Sequence, residues 1–305
     1  MLLPRHGNRN TRGFIVVAVL WILAALSALV LIYLTFVTNT AVVVAASTDR
    51  VQSDALVTAG VELAAYQLTA VREDARPSSG TFNARMGAAR VSVTFRSEAA
   101  RIDLNAAPKG LLAGLIIGLG GAPANAADYA DRILAWRTTT EAGEDDPETS
   151  SYRTAGISYA PRHAPFPAAE ELWLVRGIPP LVIERMLPFV TAFSNMASIN
   201  IADAAPQVVA ALPGMTPERL QALLSQRSDP LFDPRSLVGL AGGEAATLAS
   251  SKAYRMTVVI DFDSGRRSAA EVVILLLEEG DEPYRVLSWR NASDGGTAPQ
   301  RAALR

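Results

Sequence analysis

The hydrophobic pattern of this chain begins with a long apolar run. The 24 residues of Phe14–Val37 carry no charge, and the uncharged stretch extends from Gly13 to Thr48. A helix of about 20 apolar residues crosses a bilayer, whereas the apolar core of a cleaved secretory signal has only about 7–15 residues. The run therefore predicts a membrane-spanning helix over Phe14–Val37.

The charges around this run predict its orientation. Arg5, Arg9 and Arg12 precede it without any acid, and the first acid after it is Asp49. Basic residues next to a membrane segment stay on the cytoplasmic side. We therefore expect a short cytoplasmic tail, a single membrane pass and a large domain outside the cytoplasm.

The helical pattern continues beyond the membrane segment. No proline occurs within Phe14–Arg76, and four apolar residues spaced 3, 4 and 3 apart share one stripe of a helix: Leu56, Ala59, Leu63 and Tyr66. The Pro77–Gly80 segment, Pro-Ser-Ser-Gly, is typical of a helix stop. We predict one helix over Phe14–Arg76, with a first half suited to lipid and a second half suited to packing on a domain.

Alternating apolar and polar residues predict two β regions. Both regions contain a hairpin, and the second is followed by a further candidate strand. The predicted strands are Thr81–Arg85 and Ala89–Arg96 in the first region, and Tyr254–Phe262, Ala270–Glu278 and Tyr284–Arg290 in the second. An antiparallel sheet is therefore expected to form from segments far apart in the chain.

The segment between the two β regions has helical patterns and an internal repeat. Ile102–Pro108 (IDLNAAP) resembles Ile199–Pro206 (INIADAAP), and each precedes an apolar helix. Asn105 and Asp203 are predicted as the N-caps of these helices. Each helix leads into a glycine turn, and such units resemble helix-hairpin-helix modules. The turns are Gly118–Gly121 and Leu212–Met215.

Helix-hairpin-helix modules commonly bind DNA, so a membrane-anchored DNA-binding receptor is the alternative function. From Ala106 to Ala253 the chain has 11 Lys and Arg against 15 Asp and Glu. Phosphate contacts dominate affinity for nucleic acid, and an acidic segment supplies few of them. The charge balance favours a structural or protein-contacting role, and we expect no nucleic-acid partner.

Composition excludes several kinds of catalytic site. The chain has no Cys, and its two histidines are His6 and His163, which leaves no thiol nucleophile, disulfide or His-rich metal site. It has no Gly-x-Ser-x-Gly motif, and Asp261 and Asp263 flank a turn, where Asp is common. We therefore expect no enzymatic activity.

The N-terminal residues resemble a prepilin-type leader. Arg12-Gly13-Phe14 is followed directly by the apolar helix, and Ala18 occupies the fifth position after the glycine, where pilins commonly have Glu. The resemblance implies cleavage by a prepilin peptidase between Gly13 and Phe14 and N-methylation of Phe14. The departure at Ala18 resembles the K-type minor pseudopilins of type II secretion.

Further stretches are similar to the same family and occur in the same order: Arg101–Ala107, Ala164–Gly177 and Ile199–Met215. The resemblance implies an α+β fold, with a long N-terminal helix on an antiparallel sheet and a large inserted all-α domain. The implied domains are a leader (1–13), a transmembrane helix (14–37), a pilin-like helix with the first strands (38–105), the insert (106–250), the C-terminal strands (251–290) and a flexible tail (291–305).

The resemblance also implies a function and partners. A K-type pseudopilin is expected to cap the tip of a periplasmic pseudopilus and to help protein export across the outer membrane. Its implied partners are I-type and J-type minor pseudopilins, the prepilin peptidase and the inner membrane, with the outer-membrane secretin or secreted cargo as further contacts. The implied location is the inner membrane, with a cytoplasmic N-terminus and a periplasmic C-terminal domain.

An acidic stretch, Glu141–Glu148, is the candidate metal site of the sequence. Several carboxylates in one loop can supply the oxygen ligands that Ca²⁺ requires, although the spacing is not that of an EF-hand. A solvated acidic loop is the alternative. Because the resemblance implies calcium binding in the insert, Glu144, Asp145 and Asp146 are the candidate calcium ligands.

Overall fold

Helix α1 spans Thr11–Thr69 in a computed structural model that describes residues 11–139, 147–229, 233–280 and 282–291. Within α1 the described side chains are those of residues 15–37 and 48–69. The chain divides into two compact units, Met1–Leu56 and Val57–Arg305. The long N-terminal helix that the apolar pattern predicts is thus present.

Helix α1 ends at Thr69 rather than at the predicted Arg76. A short 3₁₀ turn follows at Glu73–Ala75, and the Nε atom of Arg76 donates a hydrogen bond of 2.9 Å to the carbonyl of Leu68. The last turn of a helix leaves its carbonyls without intrahelical partners. Arg76 therefore lies beyond the helix and caps one of these carbonyls.

Strands β1 (Ser79–Met86) and β2 (Ala89–Ser97) form an antiparallel hairpin directly after this turn. Gly87 has φ +59°, a conformation that glycine adopts readily and that a two-residue hairpin turn requires. The first predicted hairpin is confirmed, with strand ends shifted by one or two residues.

The insert follows β2 and is mainly helical. Two pairs of short parallel strands accompany its helices: β3 (Ile102–Asp103) with β4 (Val190–Thr191), and β5 (Ile199–Asn200) with β6 (Ala246–Thr247). The expectation of an all-α insert is therefore not confirmed in detail, because these short strands accompany the helices. Its helices are α2 (Lys109–Gly118), α3 (Pro123–Arg137), α4 (Pro147–Thr154), α5 (Pro180–Met186), α6 (Pro206–Ala210), α7 (Pro217–Arg227) and α8 (Arg235–Ala241).

The two halves of the sequence repeat have the same local geometry. The carboxylate of Asp103 accepts a hydrogen bond of 2.7 Å from the backbone N–H of Asn105, and the amide oxygen of Asn200 accepts one of 3.0 Å from the N–H of Ala202. Each side chain thus closes a turn two residues further on. The repeat in sequence is a repeat in structure.

An arginine completes each copy of this turn from the end of a later helix. Arg137, the last residue of α3, donates to the carbonyls of Leu104 and Ala107. Arg227, the last residue of α7, donates to those of Ile201 and Ala204. Since each guanidinium bonds two carbonyls, the turn is held against the helical hairpin that follows it.

Asn105 and Asp203 are not the N-caps that the sequence predicts. The side chain of Asn105 accepts a hydrogen bond from the backbone N–H of Phe166 and donates one to its carbonyl, and Asp203 accepts one from the hydroxyl of Ser79. Segments distant in sequence supply partners for both side chains, so neither caps a helix. The N-caps of α2 and α6 are Pro108 and Ala205.

Strands β7 (Ala253–Phe262), β8 (Arg267–Leu276) and β9 (Tyr284–Asn291) complete the sheet. Its strand order is β1-β2-β7-β8-β9, with antiparallel neighbours throughout. The predicted α+β class is confirmed. Of the predicted flexible tail, Asn291 belongs to β9, and residues 292–305 lie outside the described residues.

Two serines hold the ends of the insert side by side. The backbone N–H of Ser251 donates a hydrogen bond of 2.8 Å to the hydroxyl of Ser97, and the two hydroxyls lie 3.0 Å apart. Both serines are buried. The insert therefore leaves and re-enters between neighbouring strands β2 and β7 without interrupting the sheet.

The face of α1 that packs on the sheet is not the predicted stripe. A Cβ atom on Gly60 would lie 3.1 Å from side-chain atoms of Val91 and Val93, so the helix approaches the sheet through small residues. Leu56, Ala59 and Leu63 are half buried, and Tyr66 is 71% exposed. The buried face of α1 consists of Val57, Gly60, Val61, Ala64, Ala65 and Leu68.

Candidate functional site

The described part of α1 contains one candidate membrane span, Ile15–Val37, with 23 residues and a mean hydropathy of 3.0. Its large apolar side chains are exposed. An exposed apolar helix of this length fits a single-pass membrane anchor. Gly13 and Phe14, the predicted cleavage and methylation positions, lie on helical backbone, and their side chains fall outside the described ones.

An apolar surface remains on α1 beyond the membrane segment, within the second unit. Ala59, Leu63 and Tyr66 share one side of the helix and are half buried or exposed. On edge strand β1, Phe82 pairs with Val93 and Ala84 pairs with Val91, which places both on the helix-covered face of the sheet, where they are half buried. These residues supply an apolar surface that the described residues leave partly uncovered.

A charged cluster joins the insert to the sheet, and the sequence analysis missed it. Glu98 is 1% exposed and receives two hydrogen bonds from Arg255, of 2.8 and 3.0 Å. The hydroxyl of Thr191 also donates to this carboxylate. A bidentate arginine is the partner that a buried carboxylate requires. Glu98 therefore ties strand β7 to the insert.

Further ion pairs extend this cluster across the sheet. Arg255 donates to Glu271, Arg290 lies 3.6 Å from Glu271, and Arg290 also lies 2.7 Å from Glu170 of the insert. We call these five residues, Glu98, Arg255, Glu271, Arg290 and Glu170, the junction network. The sequence contains little that would have revealed this network. Arg255 and Glu271 stand at polar positions of alternating strands, and Glu98 stands among small residues.

The surroundings of Glu98 and Arg255 shift the pKa values of these two side chains in directions that keep both charged. Burial acts to raise the pKa of Glu98, but the charge and hydrogen bonds of Arg255, helped by Arg101 and Thr191, hold it below the ordinary glutamate value. Burial acts to lower the pKa of Arg255, and Glu98 and Glu271 together raise it. Glu98 and Arg255 are therefore both ionised at neutral pH.

The first glycine turn, Gly118–Gly121, does not offer the free amides that DNA-binding hairpins use. The N–H groups of Leu119, Gly120 and Gly121 donate to carbonyls of helix α2 at 2.8–3.0 Å, and Arg185 bonds the carbonyl of Leu119 at 3.0 Å. A phosphate would have to compete with these bonds. The geometry agrees with the acidic charge balance and gives no support to the DNA-receptor alternative.

The predicted calcium ligands Glu144, Asp145 and Asp146 lie outside the described residues. The last acid of the stretch, Glu148, belongs to helix α4, and its carboxylate lies 3.8 Å from the guanidinium of Arg132. Among the residues that the structure describes, no group of three or more His, Asp or Glu is placed to hold a metal ion.

The two carboxylates near the β7–β8 turn take part in surface ion pairs. Asp261 lies 3.3 Å from Arg267, and Asp263 lies 2.6 Å from Arg85. All four side chains are more than half exposed. As the sequence analysis expected, these two acids flank a turn, since β7 ends at Phe262 and β8 begins at Arg267.

Comparison with known proteins gives one family match and one structural match of note. Residues 93–195 match the family model of type II secretion system (T2SS) protein K. The fold is similar to a chain in the crystal structure of the GspK-GspI-GspJ complex from the type 2 secretion system of enterotoxigenic Escherichia coli. The TM-score is 0.57 with 18% identity, over 80% of this chain and 98% of that chain. No curated protein sequence matches the chain significantly.

The matched stretch begins on β2 and includes the junction residue Glu98, the first copy of the repeat and helices α2–α5. The similar fold extends over most of the remaining chain. About a third of the chain, residues 93–195, is thus similar in sequence to type II secretion system protein K, and the fold is similar to that of a chain in the GspK-GspI-GspJ complex.

Proposed function

We propose that this chain is a minor pseudopilin that caps the tip of a periplasmic pseudopilus and, bound to I-type and J-type minor pseudopilins, helps protein export across the outer membrane. The observation that carries the proposal is the apolar side of α1 at Ala59, Leu63 and Tyr66, which is not the side that packs on the sheet. Burial against a second helix would stabilise this surface. The similar solved structure is of a complex that contains GspI and GspJ.

The insert supports a position at the tip. It occupies the chain from the end of β2, Ser97, to the start of β7, Ala253, and the serine pair and the junction network fix it to the sheet. A domain of this bulk hinders the addition of a further subunit on its side. Ala18 also supports a position at the tip. Pilins commonly have a glutamate here, which would pair in the membrane with the N-terminal amine of the neighbouring subunit ahead, and a terminal subunit has no such neighbour.

Replacing Leu63 with arginine tests the assembly surface. Because the new charge would be buried between helices, we expect Leu63→Arg to reduce co-purification with co-expressed I-type and J-type pseudopilins, from detergent-solubilised membranes, by about tenfold or more. Glu62→Arg is the matched control, since it places the same side chain one residue away on an exposed side of α1. Equal co-purification of Leu63→Arg and the control would refute the assembly role of this surface.

The leader is part of the same proposal. Cleavage after Gly13 by the prepilin peptidase and methylation of Phe14 would leave a mature helix that begins at the membrane segment, with the domain in the periplasm. Gly13→Ala expressed with the peptidase is expected to remain uncleaved, so that its intact mass retains residues 1–13. Arg9→Ala, further from the junction, should be processed normally. A mature mass and a methylated Phe14 in Gly13→Ala would contradict the assignment.

We also propose that Glu144, Asp145 and Asp146 bind calcium. An ion that binds only the folded state raises the melting temperature, and hard oxygen ligands suit Ca²⁺. The melting temperature of the full chain in detergent should therefore rise with calcium, and the rise should disappear in the Asp145→Asn, Asp146→Asn double variant. Asp261→Asn is the control for the loss of an exposed acid. The same rise in the double variant would place the calcium elsewhere.

A further inference from the structure

A cleft of 460 Å³ lies between the outer face of the sheet and the insert, and we call it the junction cleft. Its volume is within the range of about 300–1,000 Å³ that is usual for ligand sites. The sheet side is polar, with Arg96 of β2, Arg255 and Thr257 of β7, and Glu271 of β8. The insert side is mostly apolar, with Pro188, Phe189, Ala205 and Val208.

The acids of the cleft are already paired, whereas two of its arginines are not. Glu98 and Glu271 both bond Arg255. Among the described residues, the side chain of Arg96 donates no hydrogen bond, and the side chain of Arg101 has only an ion pair of 4.0 Å with Glu98. Two guanidinium groups with their N–H donors unused therefore line the same cleft.

Arg101 is the more constrained of the two cations. Its side chain is 27% exposed. Burial, together with the positive charge of Arg255 nearby, lowers the pKa of Arg101 to about 10, although Glu98 acts in the opposite direction. An arginine in this position is stabilised by an additional negative charge. The cleft lining carries three arginines and two glutamates, so an added anion would balance it.

We propose that the junction cleft binds a carboxylate side chain from an acidic segment of a protein partner, with Arg96 and Arg101 as its ligands. The planar guanidinium matches a carboxylate in a two-pronged hydrogen bond. The hydroxyl of Thr257, which has no partner among the described residues, is a further donor in the cleft. The apolar wall at Phe189 and Val208 suits the methylene groups and neighbouring residues of such a segment rather than a free inorganic anion.

This inference goes beyond the tip-capping proposal and does not depend on it, because it concerns a site on the opposite face of the sheet from α1. Gly60 of α1 lies against Val91 and Val93. Thr94 and Arg96 alternate with these residues on β2 and point to the other face. An acidic segment could thus bind the cleft while the helix surface binds another subunit.

The test uses the full chain in detergent, labelled with ¹⁵N-arginine, and follows the side-chain Nε–Hε resonances of Arg96 and Arg101. Arg96→Lys and Arg101→Lys assign the two signals. Titration with the tripeptide acetyl-Ala-Glu-Ala-amide is expected to shift both signals saturably. Arg96→Gln and Arg101→Gln should each weaken the affinity about fivefold, as expected for the loss of a charge-assisted hydrogen bond.

Two controls make the test specific. Arg90→Gln removes an exposed arginine on the same face of β2, outside the cleft, and should leave the affinity unchanged. The glutamine peptide acetyl-Ala-Gln-Ala-amide should not shift the signals. Equal shifts with the glutamine peptide, or unchanged affinity in both Arg→Gln variants, would overturn the proposal. Tighter binding of inorganic phosphate than of the glutamate peptide would also overturn it.

Discussion

Replacing Arg255 with glutamine is expected to lower the free energy of unfolding by about 3–5 kcal/mol, because it leaves the buried carboxylate of Glu98 without its cation. Glu98 is 1% exposed and receives two hydrogen bonds from Arg255. Denaturant unfolding of the full chain in detergent, followed by tryptophan fluorescence, measures the loss.

The matched control for Arg255→Gln is Arg267→Gln on the neighbouring strand. Arg267 pairs with Asp261 at the surface, and both side chains are more than half exposed. An exposed pair contributes at most about 1 kcal/mol. Similar losses in the two variants would mean that the buried network does not anchor the insert.

The pH dependence of the loss gives an independent check. The pKa of Glu98 in the folded protein lies below its ordinary value, so its ionised form stabilises the fold above about pH 4.3, the unfolded glutamate value. This contribution disappears as the pH falls through the folded pKa. In Arg255→Gln the uncompensated Glu98 binds a proton more readily, and a neutral carboxyl needs no cation. The difference between wild type and variant should therefore shrink as the pH falls from 7 to 4.

Replacing Gly114 with alanine is expected to destabilise the insert by about 1–3 kcal/mol, because the added methyl group has no space. A Cβ atom at Gly114 of α2 would lie 2.2 Å from the carbonyl oxygen of Ala211, directly after α6. The clash is with backbone, so the two copies of the repeat would have to separate. Thermal and denaturant unfolding of the full chain measure the effect.

Gly118→Ala is the control for this substitution, one turn further along the same helix. A Cβ atom at Gly118 would have no heavy atom within 4 Å among its described surroundings. Alanine is the better helix former, so this variant should be neutral or more stable by about 0.5–1 kcal/mol. If both alanine variants had the same stability, the close approach of α2 to the Ala211 backbone would not be a constraint on this fold.

The elements of this fold were predictable because their signals are local. The apolar run of Phe14–Val37 has the length of a membrane-spanning helix, and Ala89–Arg96 alternates with the two-residue period of a strand. The first lies within the observed helix α1 and the second within the observed strand β2. The glycine turns were predictable for the same reason. The predicted leader and the candidate calcium ligands rest on local signals as well, and they stay predictions.

The faces that these elements present were harder to predict. The spacing of Leu56, Ala59, Leu63 and Tyr66 defines an apolar stripe, yet the helix packs on the sheet through a different face. Hydrophobic periodicity identifies which residues share a side, but close packing selects the side whose shape fits. Gly60 decides this in α1, since its missing side chain allows Val91 and Val93 to approach.

The partners of the polar side chains were the hardest to predict, because many of these partners are distant in sequence. Asn105 is a residue type common at N-caps, but its side chain makes two hydrogen bonds with Phe166, 61 residues away, and a third with the carbonyl of Ala192. Glu98 and Arg255 are 157 residues apart, and neither belongs to a motif. No local pattern contains information about such a pair.

Local periodicity and chain chemistry were thus sufficient for the helical anchor, the β hairpins, the internal repeat and the resemblance to protein K. The packing face of α1, the loss of the two predicted N-caps, the junction network and the cleft beside it arose only when the chain folded. The physical reason is range: backbone conformation responds to residues a few positions apart, whereas buried charges and close packing are satisfied by whatever the topology brings within a few ångströms.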